Sequence, residues 1–364
     1  NAFRSAQIQS TDSGSTSFSM TFQMVRNGSG SGYDLMKDST FSAYSRVCMT
    51  VSVDGKSVVI LDGLITSVQV NPGTGNAPAT VVVQGSDLTA AMAMHEKSIP
   101  WPCMNDAMIV AAILAQYSIY GIVPVTIPTY ISASQGPGEV TQQQRGTDLD
   151  YIQNRASMNG YIFRVVPGGS PGLNFGYFGP PLRMVRRFIA PECPTMTLTQ
   201  FPMSNVADLQ FTFNHEAPEM WGGMILDVAD QDSALMPIAS LPSAILPAFA
   251  SQPSAFVNMP WVKFKLMEES NMDPIQALAL LQGRSNRAAE QAVTAQGSLD
   301  VELYGAVLCA PGIVTVRGAG TTNDGKYVVS SVNSDVTPES IKQTFTLSRE
   351  GTGSTVSMVP GVPA

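Results

Sequence analysis

Charge is what this 364-residue chain has least of. Asp, Glu, Lys and Arg make up 13% of it, against 44% hydrophobic residues; ordinary soluble domains carry about a quarter charged. With so little charge to spread, part of the surface is expected to meet other protein. The net charge is −8, and there is no basic run or basic–aromatic stripe, which argues against direct nucleic-acid binding. The tightest basic cluster, Arg183, Arg186 and Arg187, reads as a solvated edge or an interchain contact. Four scattered cysteines, Cys48, Cys103, Cys193 and Cys309, form no CxxC pair. That excludes a zinc knuckle or redox motif, and in a chain this long buried free thiols are expected. The longest apolar stretch, residues 108–127, is interrupted by Gln116, Gly121 and Pro124, so no membrane span is expected. No signal peptide opens the sequence, whose first residue is Asn1; the chain is expected to begin inside its gene product and to be soluble.

Catalytic motifs are equally sparse. Only two histidines exist, His95 and His215, each followed by a glutamate (Glu96, Glu216). A zincin helix needs a second histidine four residues on, where Ile99 and Glu219 stand. Gly320-Thr-Thr-Asn-Asp-Gly325-Lys326 imitates the start of a phosphate loop. Tyr327 replaces the magnesium-binding hydroxyl, and a strand rather than a helix follows, so a hairpin turn is expected. Gly28, Gly30 and Gly32 lack the helix register of a dinucleotide fingerprint. Acid pairs for glycoside hydrolysis are Asp148 with Asp150, Asp227 with Asp230 or Asp232, and Glu268 with Glu269. The first pair suits a helix N-terminus better than a cleft. The Asp227–Asp230–Asp232 set lacks the glycine and final glutamate of a calcium loop. Trp101, between two prolines, is a candidate sugar or partner contact, with a wedge at a domain junction preferred. No catalytic, cofactor-binding or metal-ligating residue is assigned.

The organisation is mainly β. Alternation over 47–53, then Asp54-Gly55 and an apolar run at 58–61, predicts a hairpin. Strands are expected at 64–70 and 80–84. Asn105 or Asp106 caps a helix with Ile109, Ile113, Tyr117 and Tyr120 on one face, closed by Gly121. Thr147 and Asp150 form a capping box for a second helix ending at Asn159-Gly160. Asp273-Pro274 opens a third, with Ile275, Leu278 and Leu281 on one face. Closely spaced prolines over 237–260 exclude regular helix or central strand and suggest an extended arm lying on a neighbour, or a long surface loop. The two ends also repeat one another. Residues 65–69 (Ile-Thr-Ser-Val-Gln) resemble 329–333 (Val-Ser-Ser-Val-Asn), and at the same offset 80–84 face 344–348. Both copies read as hairpins of equal loop length, following Asp62-Gly63 and Asp324-Gly325.

Three segments, in order, carry a resemblance. They are Val83-Gln-Gly-Ser-Asp-Leu with Asn105-Asp-Ala-Met-Ile-Val-Ala-Ala-Ile-Leu; Gly146-Thr-Asp-Leu-Asp-Tyr-Ile-Gln-Asn-Arg-Ala with Asn159-Gly-Tyr and Leu173-Asn-Phe-Gly; and Pro311-Gly to Val316 with Gly325-Lys-Tyr-Val-Val-Ser-Ser-Val and Thr344-Phe-Thr-Leu-Ser-Arg. Together they resemble the late-control protein D family of phage tail hubs, similar to the hub half of VgrG spikes. The resemblance implies two tube-like β-barrels with an α+β insertion and a homotrimer whose six barrels make a pseudo-sixfold ring in a contractile injection machine. Implied partners are a spike protein, a tail tube or tube-initiator protein, a tape measure protein and surrounding baseplate proteins. The implied location is the virion tail baseplate, after assembly in the host cytoplasm. The sequence ends without the spike extension of VgrG, so the spike is expected to be a separate chain, and residues 237–260 map onto nothing in the family. The expected division is a first barrel at 1–98, an α+β insertion at 99–190, a second barrel at 191–236 and 298–350, a Pro-rich arm and helix at 237–297, and a flexible tail at 351–364. The competing reading is a cell-wall-degrading glycosidase or carbohydrate-binding module of a tail.

Overall fold

The computed structural model describes residues 2–25, 33, 41–73, 78–129, 142–181, 192–198, 204–226, 235–245, 247–268 and 274–355. The N-terminal part contributes five strands, β1 (Phe3–Thr11), β2 (Ser17–Gln23), β3 (Arg46–Val53), β4 (Lys56–Asn71) and β5 (Thr80–Asp87). All pair antiparallel, in the order β1-β2-β5-β4-β3. The Asp54-Gly55 turn forms as expected: both residues have positive φ, 49° and 73°, the geometry a two-residue turn between twisted strands requires.

A middle section follows, with α1 (Thr89–Met92), β6 (Glu96–Trp101), α2 (Asp106–Ala115), β7 (Ile122–Thr126), β8 (Gln142–Thr147), α3 (Asp148–Met158), β9 (Ile162–Pro167) and β10 (Asn174–Gly179). The Asn105 side chain accepts from the Met108 amide at 2.9 Å, and Thr147 Oγ1 accepts from the Asp150 amide at 3.1 Å. Both sequence-read caps therefore stand. The first helix is shorter than expected. It ends at Ala115, and a 3-10 turn carries the chain to Gly121, whose φ is 75°. The apolar faces of α2 (Ile109, Val110, Ile113, Leu114) and α3 (Ile152, Ala156) close on Phe163 and Phe178, with Leu88 and Met92 joining from the α1 segment and Leu64 of β4 reaching in from the first repeat.

The C-terminal part contains β11 (Met196–Thr197), β12 (Asp208–Phe213), β13 (Glu219–Leu226), β14 (Leu235–Ala239), β15 (Ala250–Pro253), α4 (Ser254–Val257), β16 (Lys263–Leu266), α5 (Pro274–Glu290), β17 (Val293–Asp300), α6 (Val301–Tyr304), β18 (Gly312–Arg317), β19 (Gly325–Val336), β20 (Ile341–Arg349) and β21 (Gly351–Ser354). Strands β12, β17, β20, β19 and β18 pair antiparallel in that spatial order, which is the order and chain sequence of the first five. Even the irregularities coincide. The β4–β5 ladder shifts between Ile65 and Ser67, and the β19–β20 ladder between Val329 and Ser331, so the bulges fall at Thr66 and Ser330, equivalent positions of the repeat.

Three details of the repeat differ from the sequence reading. The connecting loops are unequal, 72–79 against 337–340. Anchored on the bulges, Gly85 is therefore the counterpart of Leu347, two residues away from the constant-offset alignment; an even slip keeps the same side chains inside. Asp62-Gly63 lies within β4 and is not a turn. Nor does either repeat close into a barrel among the described residues. Instead β1 of the first pairs with β19 of the second, fusing both into one 11-stranded sheet.

The proline-rich stretch folds on its own chain. Pro237 sits in β14 beside Met224 of β13, on the edge of a β14-β13-β16 sheet where a missing amide costs no ladder bond. Phe249 is buried against Ile313 and Val328. The carboxylate Oε1 of Glu350 accepts from the amides of Phe249 and, at 2.8 Å, Ala250. Polar side chains of α5 hold the loop before it: Gln282 Oε1 accepts from the Leu241 amide (3.0 Å), Asn286 Oδ1 accepts from the Ala244 amide (2.8 Å), and the Ser285 hydroxyl lies 2.8 Å from the Leu241 carbonyl as donor. The buried face of α5 is Ala277, Leu280 and Leu281, while Ile275 and Leu278 are exposed. The expected stripe was rotated because Gly283 packs on Gly160, where a Cβ on Gly283 would come within 2.5 Å of the Gly160 Cα. The expected free tail is held at its start, since β21 pairs with β15.

Candidate functional site

The residues singled out for chemistry are placed as structural groups. Asp148 is 1% exposed and accepts from Lys97 Nζ (2.5 Å), the Tyr117 hydroxyl (2.6 Å) and Gln144 Nε2 (2.5 Å). Burial and the facing carboxylate push the Tyr117 hydroxyl well above its usual range. Asp150 is bound by the Thr147 hydroxyl at 2.7 Å, so the pair caps α3 and faces no cleft. Glu268 is exposed, whereas Glu269, Asp227, Asp230 and Asp232 lie outside the described residues, as do Gly28, Gly30, Gly32, Arg183, Arg186 and Arg187. His95 and His215 are both exposed in loops. Among the described residues no group of three or more His, Cys, Asp or Glu converges, and no helix is long and apolar enough to cross a membrane. The half-buried Trp101 packs on the helical core of the middle section and donates its indole N–H to Gln144 at 3.2 Å; it is a wedge inside that section.

The phosphate-loop look-alike turns its carbonyls inward. Arg349, 0% exposed, donates to the carbonyls of Thr322 (2.8 Å), Asp324 (2.9 Å) and Gly351 (2.8 Å) and lies 4.4 Å from the Tyr327 ring. Lys326, the would-be phosphate lysine, pairs with Glu192 at 2.7 Å. The four cysteines are free, and two depart from the buried expectation: Cys48 and Cys103 are exposed, Cys193 buried and Cys309 half-buried. Burial pushes the Cys193 thiol up to about 11 and that of Cys309 up to about 12.

A cavity of about 360 Å³ lies where the two repeats and the middle section meet, lined by Ile8, Val59, Leu61, Val332, Cys309 and Arg164 among others. Its acids are already engaged. Asp62 accepts from Arg46 twice at 2.7 Å and from Asn174 at 2.9 Å. Asp87 accepts from the Thr16 amide (2.7 Å), the Thr89 amide (3.0 Å) and the Thr89 hydroxyl. Among the described residues Arg164 makes only long contacts, Nη2 to Ser10 (3.3 Å) and Thr16 (3.4 Å), and burial lowers its pKa to about 10. Nothing in the sequence neighbourhood of Arg164 signals its burial here, because its contacts come from Ser10 and Thr16, about 150 positions away.

What remains is a surface. One face of the long sheet packs on the core through Ile8, Ala295, Val332 and Phe345. The other carries Gln9, Gln210, Gln296, Ser331, Asn333 and Thr344 and holds a groove of about 390 Å³ crossing the seam between the repeats. This face is lined by amides and hydroxyls, with Asp208 at its end. The sheet path stops at β12 on one side and β3 on the other, leaving edge backbone groups that nothing among the described residues pairs.

The sequence matches no known family profile and no curated protein. Solved structures do match. A tail protein from Neisseria meningitidis aligns with 12% identity over 96% of this chain and 92% of that one, TM-score 0.60. An Escherichia coli component of the type VI secretion system, described as similar to the T4 bacteriophage tail proteins gp27 and gp5, aligns with 11% identity over 95% and 73%, TM-score 0.58. A chain of the Francisella PdpA–VgrG complex aligns with 9% identity over 100% and 55%, TM-score 0.58. The chain has the fold of these tail-machine proteins. At such low identities the likeness is one of backbone architecture, and it extends over nearly the whole chain, the inserted sections included.

Proposed function

We propose that the protein is a non-enzymatic tail or baseplate hub: three copies form a pseudo-sixfold ring that joins the tail tube to the central spike of a contractile injection machine. The observation that carries this is the pair of repeats with one strand order, fused side by side in a single sheet. A trimer of such chains presents six equivalent units, which suits a sixfold tube on one side and a threefold spike on the other. The amide and hydroxyl face lines the central passage, and with its Lys342 set opposite Asp300 and Asp335 it carries no excess of basic groups, which suits the sliding of a tape measure protein better than the gripping of nucleic acid. The five-part division read from the sequence belongs to this proposal. So do the spike, tube and surrounding baseplate proteins as partners, the D-type hub identity, and the virion tail as the site of action after assembly in the host cytoplasm. The glycosidase alternative has no described acid pair facing a cleft to support it. Native mass measurement of the purified chain tests the reading. A trimer, with six-lobed rings in averaged electron micrographs, is expected; a monomer at micromolar concentration overturns it.

A further inference from the structure

The seam inside one chain specifies a second seam between chains. Within the chain, β1 pairs with the distal half of β19: Ile8 opposite Ser334, Ser10 opposite Val332, Gln9 opposite Asn333. Superposing the repeats through their ladders puts β12 in the place of β1, with Leu209, Phe211 and Phe213 standing for Ala6, Ile8 and Ser10. The same superposition puts residues 67–71 of β4 in the place of residues 331–335 of β19. Among the described residues both counterparts lack a neighbouring strand; at the end of the second, the Tyr33 hydroxyl donates to the Pro72 carbonyl at 2.9 Å. No strand among the described residues pairs with β12 beyond β17, or with residues 67–71 on the β3 side, where β3 reaches only to Leu64.

Exposure says the same. At the internal seam Ala6 and Ile8 are 1% and 3% exposed, whereas their counterparts Leu209 and Phe211 are only half-buried, and Phe213 and Val70 on the same open edges are 40% and 39% exposed. Apolar side chains on the core side of an open edge are half covered because the strand that completes the cover is missing.

We propose that β12 of one copy pairs antiparallel with residues 67–71 of the next copy, Phe211 opposite Val70 and Phe213 opposite Val68. This rests on the ring reading above and adds the strands and register. On the polar face the register sets Thr212 opposite Gln69 and Gln210 opposite Asn71, continuing the amide row without a charge. The contact is head-to-tail, so it closes a ring only because each chain supplies one edge of each kind.

Disulfide trapping in the full chain tests it, with Cys48 and Cys103 replaced by serine. Oxidation of the Thr212→Cys/Gln69→Cys protein is expected to give covalent dimers and trimers. Thr212→Cys/Ser67→Cys, displaced by two residues, is expected to give at least tenfold less, because its Cβ atoms lie beyond disulfide reach. Val70→Lys is expected to leave a folded monomer, since that side chain is exposed in the single chain. A trimer that gives no cross-link at 212/69, or equal cross-linking at 212/67, overturns the register and leaves the hub reading standing. A trimer that survives Val70→Lys overturns the interface. A monomeric unsubstituted chain overturns both.

Discussion

Replacing Arg349 with methionine isolates what a buried arginine does in this fold. The stem keeps its packing on Tyr327, but the carbonyls of Thr322, Asp324 and Gly351 lose their donor. Hydrogen bonds to a charged group contribute about 1.5–3 kcal/mol each, and orphaned buried acceptors about 1–3 kcal/mol. Relief of the guanidinium's desolvation offsets part of this. The net loss expected is therefore about 3–5 kcal/mol, the range in which removing one partner of a buried charged network falls. Thermal unfolding reports the total, at roughly 2 °C per kcal/mol for a chain this large. Hydrogen exchange locates it: the Gly353 amide, bonded to the Thr322 carbonyl at 2.9 Å, and the turn before β19 should lose protection first. Arg349→Lys should recover little, because an ammonium cannot reach three carbonyls in the guanidinium's plane. A methionine variant within about 0.5 kcal/mol of the unsubstituted protein would refute the reasoning.

Other perturbations have equally definite outcomes. Asp148→Asn should cost about 3 kcal/mol in chemical denaturation, because it strands Lys97 beside a neutral acceptor; a neutral result would mean that the triple contact contributes nothing. Arg164→Met should be neutral or stabilising by up to about 2 kcal/mol at pH 7. Its folded pKa, about 10, lies below the usual arginine value, so burial penalises folding throughout the range below pH 10 and the penalty fades only as pH rises through that value. Asp87 and Asp12 are the carboxylates whose charges act on Arg164, and destabilisation beyond about 2 kcal/mol would show that they use the cation more than the geometry indicates. At pH 8 a thiol reagent should label Cys103 and Cys48 quickly and reach Cys193 and Cys309 only on unfolding; mass spectrometry of the labelled peptides decides it.

Local features were legible in the sequence wherever a local cause set them. Asp54-Gly55 makes its turn, and Asn105 and Thr147 cap their helices, because each depends on residues within a few positions. The repeat was visible through its bulged hairpin, yet the alignment slipped by two because unequal loops displace β20 relative to β5 while leaving the inside–outside alternation intact. Long-range effects were not legible. The face of α5 is decided by the meeting of Gly283 with Gly160, 123 positions apart in the chain, and not by its own periodicity. The proline-rich stretch looked like an arm without a home, since its anchor, Glu350, lies about a hundred residues away. Barrel closure was likewise out of reach of the sequence: an antiparallel ladder is as compatible with pairing to the other repeat as to its own, and only the tertiary arrangement selects β1–β19.

Divergence between the repeats follows from how each seam is held together. At the internal seam the inner row is Ala6, Ile8 and Ser10 against Val336, Ser334 and Val332, a modest apolar contact. Those strands belong to one chain, and their effective concentration is high enough that little burial is needed to join them. An edge that must capture a separate molecule carries the full cost of lost rotation and translation. In the proposed seam between chains the equivalent row is larger and more apolar, with Leu209, Phe211 and Phe213 set against Pro72, Val70 and Val68. Two phenylalanines contribute burial that the serine and isoleucine they replace do not. In a chain with 13% charged residues, this enrichment sits at an edge where a solvated strand would instead carry lysine or a protective bulge. The same comparison gives a direction for the weak point: Phe213→Ser, which copies the internal seam at Ser10, should loosen contact between chains while leaving the fold of each chain unchanged.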